Sequence, residues 1–179
     1  MPTQSVFIAR SLDGYIARED GALDWLPDEP EDHGYTGFMA SIDAYVMGRG
    51  TYDTVLGFGA WPLGKTPVFV ATSRPLPEPL PAGSCVEPIA GEPAAIVAAL
   101  AARGIERLYV DGGKTIQQFL RAGLIQRMII TTIPVLLGGG IPLFGALPAD
   151  VKLRHVHTRS FPSGLVQSEY APLVAPAKT

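Results

Sequence analysis

The chain has 179 residues, 47% hydrophobic and 17% charged, with 20 glycines, 17 prolines and a formal net charge of −3. That length suits one sizeable core, so a single domain over residues 1–171 is expected, with 172–179 as a flexible tail. The acidic balance argues against a nucleic-acid binder, which would show a basic patch, and a lone cysteine, Cys85, excludes an internal disulfide.

The N-terminus has no basic region or signal core, so no export and a cytoplasmic location are expected. Residues 5–9 (SVFIA) read as an interior strand ended by the turn Asp13-Gly14. Residues 18–33 read as a loop because Gly21, Pro27 and Pro30 interrupt them. A short helix over 34–41 puts Phe38 and Ile42 on one face. A strand at 44–47 leads into Gly48-Arg49-Gly50-Thr51 and a helix to about residue 56. The strand at 67–71 closes on Thr72-Ser73-Arg74-Pro75, and a proline-rich linker leads to a weak strand at 85–86. Residues 93–103 are alanine-rich between Glu92 and Gly104, a helix with clear ends. A strand at 108–110, the triplet Asp111-Gly112-Gly113, a helix over 114–122 and a strand over 128–133 follow. The last third reads as an antiparallel hairpin, 151–159 with 166–170, and the chain from Ala171 as fraying.

Strands alternating with helices predict an α/β fold of three layers. Its sheet is mostly parallel, with helices on both faces and the hairpin as an antiparallel edge. The 22 residues between Arg127 and Asp150 carry no charge, enough in number for a membrane span, but Pro134, Pro142, Pro148 and three consecutive glycines break any helix there. No membrane contact is expected. The apolar surface of residues 136–144 predicts a homodimer through that segment.

Three turns carry chemistry. In Val110-Asp111-Gly112-Gly113-Lys114-Thr115-Ile116 a strand ends where a helix begins. Free backbone N–H groups face outward there beside two glycines and a cation, an arrangement suited to phosphate. It is not a P-loop, which needs glycine where Leu108 stands. Gly48-Arg49-Gly50-Thr51 and Thr72-Ser73-Arg74 repeat the theme after two other strands, and ligands of open α/β sheets bind outside such strand ends. His155 and His157, two apart, are expected on one face of a strand as a possible metal pair, but without a third ligand no metal is expected. Asp13 reads as a turn residue, Cys85 as inert, and Trp25 as packing at a pocket wall.

Ser11-Leu12-Asp13-Gly14, residues 23–27 (LDWLP), 46–52 (VMGRGTY), 110–113 (VDGG) and 134–144 (PVLLGGGIPLF) together resemble the dihydrofolate reductase superfamily. The likeness is to its small bacterial branch, which shares a domain with the reductase half of the riboflavin-biosynthesis deaminase-reductase. It spans about residues 4–171. It implies NADPH. Ala9 and Ile16 match positions whose backbone holds the nicotinamide amide, and Gly21, Ala22 and Leu23 match a mobile loop over it. Gly48, Arg49, Gly50 and Thr51 match the pyrophosphate and adenosine turn, and Thr72, Ser73 and Arg74 the 2′-phosphate and adenine turn. Val110, Gly112, Gly113, Lys114, Thr115 and Ile116 match the glycine turn at the pyrophosphate. Arg49 and Arg74 favour NADPH over NADH, since neither turn carries an acid to repel a phosphate.

The implied reaction is hydride transfer to a C=N or C=O bond of a small pterin-like heterocycle. Phe7, Trp25 and Thr131 match substrate-pocket positions. The family's acid would fall on Pro30, so Asp32 and then Asp28 are the candidate proton donors. Five carboxylates between Asp24 and Asp32 disfavour a phosphorylated substrate such as that of riboflavin synthesis. The alternatives are a protein that binds or senses NADP without turnover, the riboflavin-pathway reductase, and a nucleotide-binding module of another kind.

Overall fold

The computed structural model describes residues 2–28 and 32–173. Glu29, Pro30 and Glu31 of the acidic loop, and residues 174–179 of the expected tail, lie outside the described residues. The elements are β1 (Thr3–Ser11), β2 (Tyr15–Ala17), α1 (Tyr35–Ala40), β3 (Ala44–Gly48), α2 (Arg49–Leu56), β4 (Pro67–Ala71) and β5 (Cys85–Ile89). They continue with α3 (Pro93–Ala102), β6 (Arg107–Asp111), α4 (Gly113–Arg121), β7 (Ile125–Ile133), β8 (Ile141–Pro142), β9 (Leu153–Ser160) and β10 (Val166–Pro172).

Eight strands form one sheet in the order β5-β4-β3-β6-β1-β7-β10-β9. The first six run parallel, and β10 is antiparallel to both β7 and β9. The central strands are apolar along their length because both faces are covered. Their alternation sorts two cores. Val46, Val110 and Met128 pack with Ile96, Leu100 and Phe119 of α3 and α4. Tyr45, Met47, Tyr109 and Ile129 point the other way, toward Phe38 of α1 and Tyr52 of α2. Helices therefore cover both faces, the expected three layers.

Three details differ from expectation. β1 extends beyond residues 5–9 at both ends. β2 and β8, only three and two residues long, pair as a small second sheet and leave no periodic trace in the sequence. β10 stays paired through Pro172 to Leu153, so fraying does not begin at Ala171. Among the described residues no helix is long and apolar enough to cross a membrane. In the charge-free segment Leu143 is fully buried while Leu136 is 68% exposed.

Candidate functional site

The chain leaves β3 toward its neighbour β4, whereas from β6 it crosses β1 to reach β7. A crevice opens between strands whose connections diverge in this way, at their C-terminal ends. The turns after β3 and β6 flank it. Gly48 and Gly112 are the N-cap residues of α2 and α4, and neither helix start has a side-chain cap. Their first-turn N–H groups therefore remain for a ligand.

The two turns interlock. A Cβ on Gly48 would lie 2.6 Å from Thr115 Oγ1, and one on Gly112 would lie 2.2 Å from Thr51 Oγ1. Each turn's threonine thus occupies the space left by the other's glycine. Gly112 also has φ 89°, which a side-chain-bearing residue rarely adopts. Arg49 joins the third turn to these two: Nη1 donates to Pro75 O at 3.0 Å and Nε to Asp53 Oδ1 at 2.8 Å. Thr72 Oγ1 accepts from Arg74 N at 3.0 Å and shapes that turn. Beyond it a cavity of about 430 Å³ is lined by Thr72, Ser73, Ile89, Glu92, Ile96 and Phe119.

Several predicted residues are corrected by this geometry. Val110 and Ile116 are fully buried in the core beneath α3 and α4, and Ile116 N already donates to Gly112 O at 2.8 Å. Neither side chain faces the crevice. Thr115 is buried against Gly48 and shapes the turn from behind. An acid does stand beside one cation: Asp53, one turn along α2, holds Arg49. Exposed Arg74 makes no side-chain hydrogen bond among the described residues, so the uncommitted charge is there. Lys114 is exposed at the start of α4, and Gly50 lies in the first turn of α2. Ile16 packs on the glycine turn, since a Cβ on Gly113 would lie 3.2 Å from its Cδ1. The loop at Gly21, Ala22 and Leu23 folds back through Arg18 N to Ala22 O at 3.0 Å, and Gly21 faces Thr54 of α2.

The proposed acids are placed otherwise than a proton donor requires. Asp32 Oδ1 accepts from Thr36 N at 2.8 Å and Thr36 Oγ1 at 2.7 Å, which ties the loop to the first turn of α1, whose N-cap residue is Gly34. The Thr36 hydroxyl bond, more than any other contact, holds its pKa below the usual carboxylate range. Asp28 is exposed. Asp24 pairs with Arg18 at 2.6 Å, so one of the loop's charges is neutralised locally. Asp13 is structural: it accepts from Ser11 Oγ at 2.6 Å, Leu137 N at 3.1 Å and Gly138 N at 2.7 Å, pinning the charge-free segment to the end of β1.

A different carboxyl lies at the crevice. Asp111 closes β6 between β3 and β1, partly exposed, with Oδ2 accepting from Tyr45 OH at 2.5 Å and Oδ1 from Gly112 N at 2.7 Å. Burial raises its pKa and outweighs those two bonds. Burial likewise pushes the Tyr45 and Tyr109 hydroxyls well above their usual value, with Asp111 adding to it. Tyr109 OH donates to Phe7 O at 2.5 Å, and the Tyr45 and Tyr109 rings lie 4.2 Å apart. The sequence signal was an acid ending a central apolar strand just before a glycine pair, read there only as part of the turn.

Phe7 packs between Tyr35 and Phe38, with centroids at 5.5 and 5.0 Å. Ala9 and Thr131 are register partners on β1 and β7, and Ala9 is partly exposed. Trp25 is half-buried, and its Nε1 is buried with no acceptor among the described residues. Over the antiparallel half of the sheet a cavity of about 330 Å³ is lined by Phe7, Phe38, Arg127, His157, Arg159 and Glu169. Arg127 grips Glu169 with two bonds at 2.9 and 3.0 Å and holds its pKa down. A bulge in the β9–β10 pairing puts His157 opposite Glu169 and His155 opposite Tyr170, so the two imidazoles turn to opposite faces.

A family model described as the RibD C-terminal domain matches residues 2–167. A solved protein of Shewanella sp. PV-4, whose name links it to riboflavin biosynthesis, is 40% identical with a TM-score of 0.88, over 96% of this chain and 99% of that one. The uncharacterized protein YwjB of Bacillus subtilis is 37% identical over 161 residues, 87% of this chain and 90% of that protein. Dihydrofolate reductase HdrB of Haloferax volcanii is 33% identical over 125 residues, 67% of this chain and 62% of that protein.

Proposed function

The chain belongs to the RibD C-terminal domain family, and from that premise we propose that it is an NADPH-dependent reductase acting on a C=N or C=O bond of a small heterocycle. The observation that carries the reading is the convergence of three strand-end turns. Two are interlocked through Gly48, Thr115, Gly112 and Thr51, and Arg49 ties in the third. A dinucleotide fits this donor set. The uncapped starts of α2 and α4 suit a diphosphate, and the exposed hydroxyl and guanidinium of Ser73 and Arg74 suit a 2′-phosphate.

When bound, the reduced coenzyme supplies the hydride. The chain's own residues do the remainder. The backbones of Ala9 and Ile16 orient the ring amide, and the loop at Gly21 to Leu23 excludes water. Phe7 and Thr131 bound the heterocycle. Asp111 is the candidate to carry the proton: it stands at the crevice, burial raises its pKa and so eases proton uptake, and Tyr45 OH holds the carboxyl from the buried side. That acid favours turnover over coenzyme binding alone. NADPH oxidation with dihydrofolate or related C=N heterocycles tests the reading. Steady turnover that falls strongly in Asp111→Asn supports it, and coenzyme binding without turnover of any of them supports the non-catalytic alternative.

Reduction of a ribosylaminopyrimidine phosphate is a second reading. Arg127 and Arg159 beside one cavity favour it, although Glu169 in the same lining already binds Arg127, and pairing of Asp24 with Arg18 weakens the repulsion expected from the acidic loop. Turnover of that phosphate at a rate matching the best uncharged heterocycle selects it. Association of two copies through residues 136–144 is also proposed, supported by Leu136 and Phe144 at 68% and 39% exposure. Sedimentation at micromolar protein should give a dimer, and a monomer would refute this.

A further inference from the structure

Gln167 on β10 is buried, with 3% of its surface exposed, and its side-chain amide makes four hydrogen bonds beside β7. Its Oε1 accepts from Arg159 Nε at 3.0 Å and Nη2 at 2.8 Å. Its Nε2 donates to His33 O at 3.2 Å and to Thr131 Oγ1 at 2.9 Å. Arg159 Nη2 donates to the same His33 carbonyl at 2.5 Å. An amide can be turned end for end, but here only one orientation works. The reverse would set N–H groups against a guanidinium, which has only donors, and an oxygen against the His33 carbonyl. Arg159 is itself held over the Phe161 ring, 5.1 Å from its centroid.

The fixed amide fixes the polarity of Thr131. The threonine oxygen receives an N–H, so its own proton must point elsewhere, and no acceptor for it exists among the described residues. Thr131 is 6% exposed, is the register partner of partly exposed Ala9, and adjoins through Gln167 the cavity that Gln167, Arg159 and Phe7 line. A buried hydroxyl proton without an acceptor is costly unless a ligand satisfies it. We propose that Gln167, locked by Arg159, is a positioning residue that presents the Thr131 hydroxyl as a donor. The site then selects a heterocycle bearing an exocyclic carbonyl oxygen over one bearing an amino group at the same position. This rests on the reading that the cleft beside β1 and β7 receives the heterocycle.

The test compares two rings of one size, 2,4-dioxopteridine and 2,4-diaminopteridine, titrated calorimetrically into the full chain. Wild type should bind the dioxo ring about tenfold or more tightly than the diamino ring, the scale of one matched against one unmatched buried polar group. Thr131→Val should abolish that preference. Gln167→Glu, whose carboxylate still accepts from Arg159 but now also accepts the Thr131 proton, should narrow or reverse it. A purely structural role would weaken both rings equally and leave their ratio alone. The proposal is overturned if wild type prefers the diamino ring, binds both alike or binds neither, or if both variants keep the wild-type ratio. NADPH binding, measured separately on the same proteins, decides the reductase reading. Its loss beside a shifted ratio refutes that reading and leaves the Gln167 lock standing.

Discussion

Replacing Gly48 with alanine isolates the contact that joins two of the three turns. Gly48 has φ −73° and ψ 162°, which alanine adopts without strain, so the backbone cost is negligible. The added methyl would sit 2.6 Å from Thr115 Oγ1, and the next nearest atom, Thr115 Cβ, would be at 4.0 Å. Thr115 is 3% exposed and has no room to retreat. Overpacking of this kind costs about 1–3 kcal/mol. At roughly 2–4 °C per kcal/mol for a chain of this size, Gly48→Ala should lower the melting temperature by about 6 °C. Thr115→Ala removes the clashing oxygen. The double variant should therefore regain most of the loss, with a coupling of about 1–2 kcal/mol in a cycle followed by thermal unfolding. NADPH affinity should follow the same pattern, weakened in Gly48→Ala and largely restored in the pair. Additive losses would refute the interlock.

Gly112→Ala provides the contrast, because its φ of 89° remains strained after the clash is removed. Thr51→Ala should rescue it only in part, leaving about 1–2 kcal/mol that unfolding in denaturant would detect. Asp111→Asn tests the buried acid by pH. A carboxyl whose folded pKa is raised weakens the fold as pH climbs from the unfolded value through the folded one. The asparagine variant should thus match or exceed wild-type stability at neutral pH and lose that advantage toward pH 4. An advantage that grows on acidification would contradict the assignment.

The strand-end turns were legible because glycine, hydroxyl and cation fell together between an apolar run and a helical one, a local pattern. What joins them was not. Gly48 meets Thr115 and Gly112 meets Thr51 only because β6 inserts beside β3, a neighbour remote in sequence. Asp111 stood in plain view, yet its partner Tyr45 is 66 positions away, and nothing local distinguishes it from a turn residue. Asp32 misled for the opposite reason: an acid just before a helix suits a proton donor and a partner of the first turn alike, and here its carboxylate is bound to Thr36. Val110 and Ile116 were drawn in by their motif, although strand and helix periodicity turn both into the core. Gln167 gave no signal at all, since its meaning depends on Arg159, Thr131 and His33 from three distant segments.

Amide hydrogen exchange with and without NADPH tests the central claim most directly. Protection should appear together at residues 49–51 and 113–115, with a smaller effect at 72–74. Protection confined to one turn, or lying elsewhere in the sheet, would contradict a coenzyme site built from all three.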